Sequence, residues 1–196
     1  SVHEPVSAFH ELWVTPTDYL LMDHWMDGRL LTLVFPNHVM VTAYAPFPKL
    51  DRTHVHHSAG FRKLLGPHVD FVARKFQLPT VLAADLNAVR HDMDLTLANK
   101  DGICASPMER DSMERCLANL TDSYRHLHPH TPGYTAKGFG AHTNHRFRLD
   151  YVAVTQDCTP IDAFVDDPSL VSDHFPLYVL LRLPQTSVIL SSKVST

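Results

Sequence analysis

The first place in this chain where chemistry could sit is Thr80-Val-Leu-Ala-Ala-Asp85-Leu-Asn87, an apolar run that ends in an acid and an amide. In sheets flanked by helices, ligand sites form at the carboxyl ends of strands, where the backbone leaves the core and side chains meet solvent. Taken alone, such an acid could equally cap a turn or a helix. Two further positions add to it. Asp150 lies within Arg148-Leu-Asp150-Tyr151, a strand-like stretch where an unpaired carboxylate would be costly. Asp173-His174 stands just before the last apolar run. A His174–Asp150 pair would satisfy the strand-embedded acid while fixing the imidazole's orientation and raising its basicity. The bland alternative is an arginine partner for Asp150 and a turn-capping His174. The paired reading expects a separation within about 3.5 Å. It also expects Asp85, Asn87 and His174 to converge on one cleft.

These residues need a scaffold, and the chain supplies alternating strand and helix signals. Leu30–Phe35 and His38–Tyr44 read as strands joined at Pro36-Asn37. Phe61, Leu64, Leu65, Val69, Val72 and Phe76 recur at spacings of three and four, which predicts a helix over Val55–Phe76. Thr80–Ala84 reads as a buried strand. Ser106 as N-cap, Pro107 at the first helical position and Glu109 three residues on predict a capped helix ending near Leu117–Leu120. Arg148–Thr155 and Phe175–Leu183 read as strands. The class is α/β, with one domain over residues 1–184 and a Ser/Thr-rich tail over 185–196 in which Val188–Leu190 could dock.

Composition limits the function classes. The chain has 196 residues, 44% hydrophobic and 19% charged, as in an ordinary globular protein. It has no apolar run long enough to span a bilayer and no visible signal peptide. The net charge of −4 argues against nucleic-acid binding by bulk electrostatics, so any such contact must be local. Cys104, Cys116 and Cys158 are odd in number and widely spaced, which fits neither a disulfide framework nor a zinc site and suits a reducing intracellular compartment. Fifteen histidines invite a metal reading, but the clusters His54/His56/His57 and His126/His128/His130 form no HExxH motif on a helix and read as exposed or structural.

Five segments in order carry a resemblance: Tyr44-Ala-Pro, Asp85-Leu-Asn87, Leu120-Thr-Asp122-Ser-Tyr-Arg125-His126-Leu-His-Pro129 with Tyr134-Thr135, Arg148-Leu-Asp150-Tyr151, and Ser172-Asp173-His174. Together they resemble the C-terminal two-thirds of the exonuclease III-type apurinic/apyrimidinic (AP) endonucleases, within the endonuclease/exonuclease/phosphatase superfamily. The resemblance implies a four-layer sandwich of two packed β-sheets flanked by helices. It implies Mg²⁺ (or Mn²⁺)-dependent hydrolysis of a DNA phosphodiester at an abasic site, in base excision repair. A nuclear or mitochondrial location goes with that. By resemblance, Asp85 orients and deprotonates the attacking water, while Asn87 contacts the phosphate and holds Asp85. His174, oriented by Asp150, faces a phosphate oxygen, and Tyr44 donates its hydroxyl. Asp173 sits at the metal, and Phe147 and Leu149 wall a pocket for the flipped-out sugar.

The match has gaps. The family's first strand carries an Asn and its second a Glu that is the principal metal ligand; this chain is expected to begin after both. Glu109 and Glu114 belong to the capped helix, while Glu4 and Glu11 lie in unlike contexts. Phe47, Ala84, Ala136 and Phe147 replace the family's Asn, Gly, aromatic and Trp. Three readings follow. One is an AP endonuclease-type catalytic portion completed by another segment or chain that supplies the first strands. Another is a degenerate, non-catalytic subunit of a larger assembly. The last is a different phosphodiesterase of the superfamily, acting on RNA or within a retroelement.

Overall fold

A computed structural model describes residues 5–9, 28–48, 54–96, 102–138, 144–166 and 172–184. Glu4, Glu11 and the tail from 185, with Val188–Leu190, lie outside the described residues. The central element is a six-stranded sheet. It contains β1 (Ser7–Phe9), β2 (Leu30–Val34), β3 (Val39–Tyr44), β4 (Thr80–Asp85), β5 (Thr121–Asp122) and β8 (Asp150–Val154), in the order β1-β2-β3-β4-β8-β5. Only β3 and β4 run parallel among these pairs. Their crossover is α1 (Val55–Phe76), as the apolar stripe predicts.

One face of the sheet is closed by α1. Val41, Ala43, Leu82, Ala84, Tyr151 and Ala153 pack with Phe61, Leu65, Val69 and Val72 of that helix. Behind it lies α2 (Pro107–Cys116), whose predicted start forms in full. Ser106 Oγ accepts from the Glu109 backbone N–H, and Glu109 Oε2 accepts from the Ser106 N–H at 2.8 Å. The two helices meet at Gly66, where a Cβ would stand 2.7 Å from the Cys116 carbonyl oxygen.

The opposite face is covered by a second, smaller sheet of β9 (Thr159–Val165) and β10 (Leu177–Arg182), antiparallel with a register shift at Leu180/Leu181. Leu181 and Leu183 pack there on Val81, Val152 and Val154. Toward β2 and β3 the same face carries Leu31, 38% exposed, and the exposed Thr42. A two-stranded ribbon, β6 (Ala136–Lys137) and β7 (Arg146–Phe147), and the short helix α3 (Ser123–Leu127) complete the described elements. The α/β arrangement of packed sheets flanked by helices is the one the sequence implied. Its limits differ in detail. The expected Arg148–Thr155 strand divides into β7 and β8, because the chain turns at Arg148-Leu149, and Phe175–Leu183 begins as a strand only after Pro176.

The structure also contains a buried histidine. His68 on α1 is fully buried and hydrogen-bonded through Nε2 to Thr32 Oγ1 at 3.0 Å, joining the helix to β2. Burial lowers its pKa from 6.5 to about 4. Between those values the unfolded chain binds more protons than the folded one. Stability is therefore expected to fall as pH drops from 6.5 toward 4, by up to about 3 kcal/mol. Thermal melts across that range should show the loss, and it should shrink in His68→Gln. At the helix contact, Gly66→Ala is expected to lower stability by about 1–3 kcal/mol, read from the urea midpoint, because the obstacle is backbone and cannot rotate away.

Candidate active site

Strand register assembles the site. Tyr44 at the end of β3 is the cross-strand partner of Asp85 at the end of β4, and Asp85 is in turn the partner of Asp150 at the start of β8. The three residues form one row across the sheet. Asp150 is anchored beside Thr135, whose Oγ1 accepts the backbone N–H of Leu149 and of Asp150, both at 3.0 Å. His174 comes from the segment before β10. That segment is bound to β6 by the Lys137 N–H on the Asp173 carbonyl (2.9 Å) and the Phe175 N–H on the Thr135 carbonyl (2.7 Å). His174 Nδ1 then lies 2.8 Å from Asp150 Oδ2, so the acid's partner is the histidine.

The turn after β4 is fixed from four sides. Asn87 has φ 47°, in the left-handed region. Its backbone N–H donates to Asp85 Oδ1 at 2.9 Å, and its side-chain Nδ2 donates to the Ala45 carbonyl at 2.9 Å. The Leu86 N–H donates to the Leu149 carbonyl. From below, buried Arg62 of α1 donates through Nη1 to the Leu86 carbonyl and to Ser58 Oγ, and through Nε to Ser112 Oγ, each at 2.7 Å. Asn87 thus holds Asp85 through its main chain, while one side-chain proton is already engaged by Ala45, just after β3.

The electrostatics follow from this crowding. Burial and the neighbouring Asp150 charge raise the Asp85 pKa to about 6, against the Asn87 N–H and His174, which lower it. The Asp150 hydrogen bond raises the His174 pKa to about 9, against burial. At neutral pH the arrangement offers a carboxylate basic enough to take a proton from water beside a cationic imidazole. It also offers a cation site: ligand atoms of Asp85, Asp150 and His174 lie within 4.8 Å of one another. Two carboxylates side by side suit a hard divalent ion, while the cationic His174 pairs with one of them and is not itself a ligand. Asp173 does not join these three. It is exposed, beside them, and engaged by its main chain.

A cavity of about 910 Å³ opens over the cluster, and all eight residues singled out from the sequence line it: Tyr44, Asp85, Asn87, Phe147, Leu149, Asp150, Asp173 and His174. Tyr44 is 49% exposed, with the Arg29 guanidinium 5.1 Å from its ring centre. Phe147 and Leu149 are both wall and core, packed with Val89, Leu95, Cys104, Ala105 and Ala136. Lys137, His145 and Ile103, which also line the cavity, had no sequence signal.

The support beneath uses Asp122, Arg125 and Arg148, which stand in the resembling segments but had no role assigned there. Arg148, fully buried, donates through Nη1 and Nη2 to Asp122 at 3.0 and 2.7 Å and through Nη2 to Asp94 Oδ2 at 3.1 Å. Arg125 reaches the same Asp94. The histidine clusters take no part: His128 donates Nε2–H to the Ala163 carbonyl at 2.7 Å, and His54 and His57 meet edge to face.

Comparison with known proteins agrees with this geometry. The sequence profile of the Endonuclease/Exonuclease/phosphatase family matches residues 2–174. An exodeoxyribonuclease of Bacillus subtilis is 27% identical over 192 residues, covering 93% of this chain and 73% of the relative. The DNA repair nuclease APEX1 of Danio rerio is 29% identical over 174 residues, covering 82% of this chain. This chain spans only 54% of that relative's length. The solved structure of an AP endonuclease from Archaeoglobus fulgidus superposes with a TM-score of 0.72 at 22% identity, over 93% of this chain and 73% of that one, and so shares the fold. Profile, relatives and backbone converge: the chain belongs to the Endonuclease/Exonuclease/phosphatase family.

Proposed function

We propose that this chain is the core of a metal-dependent phosphodiesterase that cuts the DNA backbone at abasic sites, as in base excision repair. The single observation that carries the reading is the convergence of Asp85, Asn87, Asp150 and His174 on one cavity with an apolar wall. The Bacillus and Danio relatives, named as a deoxyribonuclease and a DNA repair nuclease, support DNA as the substrate.

In this reading Asp85 takes the proton of the attacking water. Its raised basicity suits that task near neutral pH. Asp150 holds His174 through Nδ1, which leaves Nε2 to donate to a phosphate oxygen and to offset the charge that develops there. The second side-chain proton of Asn87 and the hydroxyl of Tyr44 complete the phosphate contacts. The free oxygen of Asp150, with Asp173 beside it, would hold Mg²⁺ or Mn²⁺ next to Asp85, whose own carboxylate stays available to the water. Bound there, the cation supplies positive charge to the phosphate and to the leaving oxygen.

The reading includes a partner: another segment or chain that brings the family's first strands and a further carboxylate. A second cavity of about 480 Å³ supports it, since it runs between Thr42, Ala83 and Val152 of the large sheet and Phe175–Leu177, and touches Asp85, Asp150 and His174 from the other side. One observation favours the non-catalytic alternative: among the described residues, no glutamate lines either cavity.

The test is Mg²⁺-dependent nicking of a duplex carrying one abasic site, with single-stranded RNA as competitor. The 196-residue chain alone is expected to cleave slowly, with Asp85→Asn lowering kcat by about 10²–10⁴ while leaving KM near the parent value. Equal cleavage by the variant, or none by the parent even when the segment carrying the first strands is supplied, would favour the non-catalytic subunit. Stronger competition by RNA than by intact DNA would favour the RNA-directed member of the superfamily.

A further inference from the structure

A strand at the edge of a sheet offers unpaired N–H and C=O groups to any other strand, and folded proteins blunt such edges. Most edges of this molecule are blunted. The outer strands of the large sheet are short: β1 has three residues and β5 two. The β6–β7 ribbon is bridged to His174 on one side and Leu95 on the other. β9 carries Asp162 and Pro160, which has no N–H to give, and its Ala163 carbonyl takes the His128 ring N–H. β10 is the exception. Its six residues are uncharged up to Arg182 and include no proline, and among the described residues it pairs with β9 alone.

The small sheet is also apolar on both faces. Leu177, Val179 and Leu181 alternate toward the large sheet, half-buried. Tyr178 and Leu180 stand outward, 49% and 61% exposed, and Tyr178 stacks on the 53% exposed Phe164 at 4.9 Å between ring centres. Two strands alone make a marginal sheet, and further strands stabilise it. The sequence of β10 indicates which strand fits. Read antiparallel, Leu177-Tyr-Val-Leu-Leu-Arg-Leu183 complements itself. Directly opposed residues project to one face, so a twofold axis at Leu180 sets Leu177 against Leu183 and Val179 against Leu181 on the inner side. On the outer side Leu180 meets Leu180 of the second copy. The one charge, Arg182, meets Tyr178 instead of its own copy, which lays a guanidinium beside a stacked aromatic pair. We propose that β10 pairs with β10 of a second copy of this chain, joining two small sheets into one four-stranded sheet across a twofold axis. The inference goes beyond the phosphodiesterase reading and uses none of the groups that face the active-site cavity.

Sedimentation equilibrium of the 196-residue chain at micromolar concentrations tests it, and the wild type is expected to run as a dimer. Leu180→Lys sets two ammonium groups face to face on the axis, and Leu180→Glu two carboxylates. The side chain is exposed in the single copy, so both variants are expected to keep the circular dichroism and melting profile of the parent. Each alone is expected to weaken the dimer by about tenfold or more, because like charges stand directly opposed. An equimolar mixture of the two is expected to restore it, since the ammonium of one then faces the carboxylate of the other. A wild-type chain that is monomeric throughout would overturn the proposal. So would a dimer indifferent to both substitutions, or a mixture no more associated than its components. A chain that never self-associates but binds the segment carrying the first strands would give the edge to that segment and overturn the proposal equally.

Discussion

Arg148 carries a permanent positive charge into a place without water, and much of the molecule is arranged around that fact. A guanidinium buried without partners would be prohibitive, and removing one partner of a buried ion pair typically costs about 3–5 kcal/mol. Here Asp122, at the junction of β5 and α3, and Asp94, in a 3-10 turn that follows β4, both close on it, while the Tyr151 ring centre lies 4.3 Å from its guanidinium carbon. Three distant stretches of chain are drawn to one point. The same interaction sets the direction of its neighbours. With Arg148 turned inward, Phe147 and Leu149 face the other way and become the pocket wall, and Asp150 is delivered to the row beside Asp85.

The row itself concentrates negative charge at a sheet end and leaves it partly uncompensated. His174 neutralises one of the two carboxylates, and the residual repulsion appears as the raised proton affinity of Asp85. A structure selected only for stability would not place two acids as register partners. The arrangement makes sense where a cation and an anionic substrate arrive together, and the slot on the far side of the cluster leaves room for a further ligand.

Much of this was legible in the sequence, and the reasons are local. Val55–Phe76, the capping box at Ser106–Glu109 and the run ending at Asp85 have patterns set by short-range rules. Asp150 and His174 could be paired because a strand-embedded acid needs a partner. The rest depends on long-range contacts. β6 and β7 are two residues each, too short to show a period. β9 carries Pro160 and Asp162, which break a strand pattern, and it forms where β10 supplies the pairing. β1 is three residues at a sheet edge. The role of Arg148 was not legible, because nothing in the order of residues reveals that Asp94 and Asp122 will lie against it.

The left-handed turn at Asn87 has a consequence for descent. Asp85 ends its strand half-buried beside another acid, and exchanging it for a neutral amide would relieve repulsion rather than disturb packing. Asn87 is different: it tolerates a backbone angle most side chains avoid, and its amide ties that turn to the neighbouring strand. A lineage that gave up chemistry at this strand end would therefore shed the acid first and keep the amide, because only the amide carries architecture.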